Sequence, residues 1–282
     1  MRMRLLNSLI LVLLLAVQAY SQQPAGKGCL FIIGGGSRGD ALIKSLVTTA
    51  GLHKKDYIVV LPMASELPDT GYKYIKEELE KFTNAPVLLF DFRKRNVADK
   101  SGVDSLRNAR LIYILGGDQN RFMAVVKNTP VYESIHAAFK NGSTIAGTSA
   151  GAAVMSRYMI TGRQLKDTVY KETFDKLLPA NIEFSEGLGL LQHTIIDQHF
   201  IKRSRYNRLL SALAAYPGYY GVGIDESTAI IVKGNKATVV GESQVLRLIA
   251  EEPVKVSSGG RLASKNIRLG IYTSGQTFDI LP

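Results

Sequence analysis

The chain has 282 residues, enough for one large α/β domain or two small ones, and its composition, 46% hydrophobic and 21% charged, sets intrinsic disorder aside. The net charge of +11 would suit an anionic partner such as nucleic acid, but the basic residues are scattered and no Lys/Arg run carries interleaved aromatics. The charge therefore reads as a solvated basic surface with no nucleic-acid partner, and a chain without tryptophan is poorly suited to a lectin-like role.

The N-terminus reads Met-Arg-Met-Arg, then an apolar stretch over residues 9–17, then Gln18-Ala19-Tyr20-Ser21. This is the pattern of a secretory signal peptide cleaved before Gln22, and the apolar stretch is short for a membrane span. The expectation is a signal peptide over 1–21 and a single α/β domain over 22–282, secreted or periplasmic, with no stable membrane anchor after cleavage. Cys29 is the only cysteine and forms no internal disulfide, so such a protein relies on its core.

The first strand is expected over 29–33, an unbroken apolar run of the kind buried on both faces of a parallel sheet. It ends in Gly34-Gly35-Gly36-Ser37-Arg38-Gly39-Asp40, which fits G-x-G-x-x-G. No acidic residue closes the second strand, where Ile58-Val59-Val60-Leu61-Pro62 stands instead, so no dinucleotide cofactor is expected. A turn at the carboxyl edge of the sheet is the better account. Asp40 is placed to cap a helix over 41–50. A strand over 57–61, a helix over 72–82, a strand over 87–90 and a helix over 103–108 follow. The strand over 111–115 ends at Gly116-Gly117-Asp118-Gln119, and a helix over 131–140 comes next. Strands and helices alternating at this spacing predict an open, mostly parallel sheet wrapped by helices on both faces. Ligand crevices of such sheets lie beyond the carboxyl ends of the strands.

The next strand, through Thr144-Ile145-Ala146, leads into Gly147-Thr148-Ser149-Ala150-Gly151 and then a small-residue helical segment. That is G-x-S-x-G between a strand and a helix, the context of a nucleophile elbow. A serine on so sharp a turn sits in strained backbone, and its neighbours must be small. Residues 160–189 lose the alternation and turn polar, as a covering loop or a segment carrying a third catalytic group would. A strand over 194–200 ends in Asp197-Gln198-His199, and a helix from about 202 to 215 carries Arg203, Arg205 and Arg208. The last third is β-rich, with Gly234-Asn235 signalling a hairpin.

A serine nucleophile needs a base and oxyanion donors. Of the four histidines, His53 sits in a basic turn, His136 mid-helix and His193 in a turn, which leaves His199, at a strand end after Ser149, as base. The N–H of Ala150 and that of Gly117 are the expected oxyanion donors. For the triad acid, Asp167 is favoured, with Glu172, Asp175 and Asp197 left open. Arg205 and Arg208 share a helix face. The arginines either bind substrate carboxylates, form a basic helix surface, or make salt bridges to Asp225 and Glu226.

The ordered set Ile32-Ile33-Gly34-Gly35-Gly36, Gly116-Gly117-Asp118-Gln119, Gly147-Thr148-Ser149-Ala150-Gly151-Ala152, Ile196-Asp197-Gln198-His199-Phe200 with Arg203, Arg205 and Arg208, and Gly223-Ile224-Asp225-Glu226-Ser227-Thr228-Ala229 resembles the cyanophycinases. These belong to the serine peptidase family that also includes dipeptidase E. The resemblance implies a class I glutamine amidotransferase-like α/β fold with serine where those enzymes carry cysteine, ahead of a β-rich C-terminal part. It implies a serine-type exopeptidase that cuts cyanophycin, a poly-aspartate with arginine on each β-carboxyl, to β-Asp-Arg dipeptides. Ser149 is then the nucleophile and His199 the base. Gln119, Asp197, Gln198, Arg203, Arg205 and Arg208 form the substrate pocket, with Asp197 free to pair with a substrate arginine. A homodimer without metal or other cofactor is implied as well.

Overall fold

The computed structural model describes residues 28–166, 169, 171, 173 and 175–281. The expected signal peptide lies outside them, as do Asp167 and Glu172.

In chain order the first half runs β1 (Cys29–Ile33), α1 (Asp40–Ala50), β2 (Ile58–Leu61), α2 (Pro68–Glu80), β3 (Val87–Leu89), α3 (Lys100–Asn108), β4 (Leu111–Ile114), α4 (Gln119–Val126), α5 (Pro130–Lys140), β5 (Thr144–Thr148) and α6 (Ala150–Ala153). Strands β6 (Tyr158–Gln164), β7 (Ile182–Glu186) and β8 (Thr194–Gln198) follow, then α7 (Tyr206–Ala215). The remainder is strand: β9 (Tyr220–Ile224), β10 (Thr228–Lys233), β11 (Lys236–Gly241), β12 (Val245–Ala250), β13 (Lys255–Val256), β14 (Leu262–Ala263), β15 (Ile267–Tyr272) and β16 (Thr277–Asp279).

The central sheet has the order β16–β11–β10–β1–β5–β4–β2–β3. From β1 to β3 every pairing is parallel. β10, β11 and β16 extend the other edge antiparallel, with the expected Gly234-Asn235 turn joining β10 to β11. The parallel strands are apolar throughout because both their faces are covered. Alternation along them assigns each side chain to a layer. Phe31, Ile33, Val60 and Tyr113 pack with Leu42, Leu46 and Ile75 of α1 and α2. Leu30, Ile32, Val59 and Ile112 pack against Leu106, Phe122 and Ile135 of α3 to α5.

A second sheet, β15–β12–β9–β8, closes over that latter face. Ile196, Val222 and Ile224 join the core of the central sheet, while Ile195, Leu246 and Leu248 face α7 through Phe200, Leu209 and Leu213. β8 and β9 are parallel, with Gln198 opposite Ile224, so the residues following these two strands emerge side by side.

Three local expectations are revised. Residues 160–189 hold the antiparallel pair β6–β7, whose periodicity is broken by a register shift between Ile160 and Gln164. Helix α4 was not anticipated; its start is capped by Asp118, whose carboxylate accepts from the N–H of Asn120 and Arg121. The helix expected from about 202 begins at Tyr206, so Arg203 and Arg205 lie in the turn that leads into it.

Candidate active site

Strand β5 is wholly buried and ends one residue before Ser149. Ser149 itself has φ 53° and ψ −112°, outside the helical and extended regions, and α6 starts directly after it. The turn is tight enough that a Cβ on Gly151 would sit 2.3 Å from the carbonyl oxygen of Ile114. Only a residue without a side chain fits there, which is the steric requirement of an elbow.

His199 Nε2 lies 2.9 Å from Ser149 Oγ. Its Nδ1 lies 2.6 Å from Glu226 Oε1. A carboxylate at Nδ1 fixes the proton on that nitrogen and leaves Nε2 to accept from the serine. Burial favours the neutral imidazole and pushes the His199 pKa below the usual histidine value; the Glu226 hydrogen bond opposes this, and the charges of Arg203 and Arg205 add to the lowering.

The backbone around these side chains is fixed by the turn after β1. The carbonyl of Ile33 accepts from Ser149 N at 3.1 Å, that of Gly34 from His199 N at 2.7 Å, and that of Gly35 from Ser227 N at 3.0 Å. Three successive carbonyls thus hold the elbow serine, the imidazole and the neighbour of the carboxylate. Gly35 has φ +104°, and a Cβ there would lie 2.3 Å from the imidazole. The glycine run that resembles a phosphate loop is a seat for His199. Among the described non-glycine residues with positive φ are Ser149, His199, Ser204 and Ser227. Such strain costs about 1–3 kcal/mol per residue and clusters where geometry is imposed by function.

Asp225 secures the turn after His199. Its Oδ1 accepts from the N–H of Ile201 at 3.0 Å and Lys202 at 2.9 Å, and its Oδ2 from Ser243 Oγ at 2.7 Å. It therefore holds the turn after His199 by backbone, not by the arginine salt bridge considered from the sequence.

Ser149 and His199 open onto a cavity of about 360 Å³, also lined by Gly117, Gln119, Thr161, Gly162, Gln198, Arg203, Arg205 and Arg208. Most of the residues singled out from the sequence are thus gathered at one place. Gln119 Nε2 donates to the Ile160 carbonyl at 2.6 Å, tying α4 to the β6 wall. Arg205 Nη1 donates to both the carbonyl and Oε1 of Gln198, at 2.7 and 2.6 Å.

Two expected roles change. Asp197 is absent from the cavity lining and only 1% exposed. Its Oδ2 accepts from Arg208 Nε at 2.6 Å, its Oδ1 from Arg208 Nη2, and Oδ1 also accepts from Gln198 N at 2.8 Å. A carboxylate so engaged is not free for a substrate guanidinium; it orients Arg208. The acid beside His199 is Glu226, for which the sequence suggests only a salt bridge to an arginine. Asp167 and Glu172 lie outside the described residues, and Asp175 is exposed and paired with Lys171 at 3.3 Å. The available signal for Glu226 was an acidic pair, Asp225-Glu226, at the end of a strand in the β-rich third.

Ala150 opens α6 behind Ser149, and Gly117 lies in the turn after β4, where Asp118 N donates to the Ala64 carbonyl at 2.9 Å. Among the described residues no group of His, Cys, Asp and Glu side chains is placed to share a metal ion. Serine, imidazole and carboxylate in line, beside a cationic cavity, can carry out acyl transfer on a substrate bearing negative charge.

Residues 30–240 match the model of peptidase family S51. A cyanophycinase from Nostoc sp. is 34% identical over 268 residues, covering 91% of this chain and 87% of the relative. One from Geminocystis herdmanii is 32% identical, covering 79% and 82%. Among solved structures, a peptidase from an acI-B1 Actinobacterium superposes with TM-score 0.63 at 21% identity, covering 89% of this chain and 96% of that one. A candidate peptidase E protein from Listeria monocytogenes gives TM-score 0.56 at 17% identity, covering 77% and 99%. These two likenesses concern the fold. By sequence, the chain belongs to peptidase family S51 and is a serine-type peptidase.

Proposed function

We propose that this chain is an exported exopeptidase that hydrolyses cyanophycin to β-Asp-Arg dipeptides through an acyl-enzyme on Ser149. The observation that carries the reading is the Ser149–His199–Glu226 line opening onto an arginine-lined cavity, in a chain similar to cyanophycinases. In the proposed cycle Ser149 Oγ attacks the scissile carbonyl as His199 Nε2 takes its proton. Glu226 stabilises the imidazolium so formed. The developing oxyanion is met by the N–H groups of Ala150 and Gly117. Collapse expels the leaving amine, which receives the proton from His199. Water, deprotonated by the same nitrogen, then attacks the acyl-enzyme and frees Ser149. Substrate carboxylates are oriented by the arginines, with Gln119 and Gln198 as polar partners.

Export rests on the N-terminal pattern of charge, apolar stretch and small residues. A homodimer belongs to the same proposal through the resemblance to the family. The cationic cavity equally suits other isoaspartyl or acidic dipeptides, which is the second reading.

The deciding experiment incubates purified protein with cyanophycin, with isoaspartyl dipeptides and with α-linked peptides, beside Ser149→Ala. β-Asp-Arg is expected from the native enzyme, with a loss of about 10⁶-fold in the variant. Hydrolysis of isoaspartyl dipeptides alone would select the second reading, and turnover by the variant would remove Ser149 as nucleophile. Mass spectrometry of the exported protein should find Gln22 at its N-terminus.

A further inference from the structure

The lining cations of the cavity explain how a carboxylate is held but would repel a substrate that also carries positive charge. The wall contributed by β6 holds the answer. The register shift between Ile160 and Gln164 turns Thr161 and Gly162 into the cavity. Thr161 Oγ1 donates to Glu183 Oε2 at 2.7 Å, so this carboxylate stands immediately behind the lining. Its other oxygen accepts from Arg163 Nη1 at 2.9 Å; the glutamate side chain is 27% exposed and the arginine 73%.

Among the described residues, the neighbouring carboxylates are committed elsewhere. Glu226 serves His199, Asp197 is gripped by Arg208, and Asp225 by the turn after His199. Glu183 differs because its cationic partner is a solvent-exposed side chain, in an ion pair that stands alone among the described residues, the weakest kind. Such a partner yields to a guanidinium that arrives already oriented by the rest of the site. A carboxylate also has more acceptor capacity than these two bonds use.

We propose that Glu183 is the specificity carboxylate of this site: it receives the cationic side chain of the substrate at the rim of the cavity, and Arg163 occupies its place when substrate is absent. The inference rests on the reading that the substrate carries arginine side chains. Thr161 is a positioning residue that holds the carboxylate toward the lining.

The test separates binding from turnover. In the Ser149→Ala background, calorimetry compares a β-Asp-Arg peptide with its citrulline counterpart, in which a neutral ureido group replaces the guanidinium. The arginine peptide is expected to bind about tenfold more tightly, the worth of one charge-assisted hydrogen bond. Adding Glu183→Gln, which keeps the shape and the Thr161 contact, should bring that ratio to near one. A merely structural role would weaken both peptides together and leave the ratio intact. Adding Arg163→Ala instead should tighten the arginine peptide several-fold. Equal affinities in the parent background, no binding of either peptide, or a ratio indifferent to Glu183→Gln would overturn the inference; an arginine affinity unmoved by Arg163→Ala would overturn its account of the empty site. Failure of the substrate reading looks different: native enzyme that releases no β-Asp-Arg from cyanophycin while the binding preference persists.

Discussion

Ser149 and the groups aligned with it come from two regions built on different principles. The β5–α6 elbow is local: an apolar strand, a strained serine and a few small residues specify it within a dozen positions. The region around β8, β9 and α7 is not. His199 closes one strand, Glu226 follows another, and the arginines fill a turn and a helix start. What unites them is buried polar bonding: Asp197 to Arg208, Asp225 to backbone N–H groups, Gln198 to Arg205. The first region makes a reactive group by steric exclusion; the second aims groups at it by satisfying charges away from water.

The sharpest break of this contrast is Glu226→Gln. It leaves the elbow untouched and should lower kcat by about 10⁴-fold, since the imidazole loses its tautomer and the partner of its charged form. Steady-state hydrolysis measures it, and a loss under tenfold would move the acid elsewhere, with Asp167→Asn the next variant to assay. Gly35→Ala tests the seat joining the two regions. Its Cβ would collide with the imidazole, and a displaced base should cost about 10²-fold in kcat. Full activity would show that the turn does not space His199.

Asp197→Asn separates folding from chemistry. Removing one charge from this buried pair should cost about 3–5 kcal/mol, read as a lower midpoint in denaturant. An unchanged midpoint would mean that Asp197 is not what holds Arg208. The smallest effect is a shift of pH profile. With neutral His199 as the proposed base, activity should fall as pH drops through its pKa, and because that pKa is lowered the acid limb should lie below the ordinary histidine range. Arg203→Gln removes one of the charges that hold it down. The limb of kcat/KM should move to higher pH, and a limb that stays put or moves lower would contradict this assignment.

The same contrast explains what the sequence could disclose. The parallel strands were legible because burial on both faces leaves unbroken apolar runs, and the elbow because strain restricts its residue types. His199 was reachable by elimination among few histidines. Glu226 was not, because its closeness to His199 depends on β8 and β9 pairing in parallel with Gln198 opposite Ile224. Asp197 looked available to substrate for a related reason: nothing in its own strand announces an arginine on the following helix. The β6–β7 pair escaped because its register shift erased the alternation by which strands are recognised.

The turn after β1 carries a consequence for the life of the chain. Its carbonyls collect N–H groups from Ser149, His199 and Ser227, and Gly34 N itself donates to Thr228 at 2.9 Å. Synthesis delivers these partners in that order, and the last arrives with β10, which must dock beside β1 to complete the set. Contacts of such sequence separation form late in folding. Hydrolytic competence is therefore withheld until the molecule is nearly complete. A chain ending before Thr228 would lack β10 and the Gly34 N–Thr228 hydrogen bond that complete this setting. The geometry ties completion of the site to the docking of β10 beside β1.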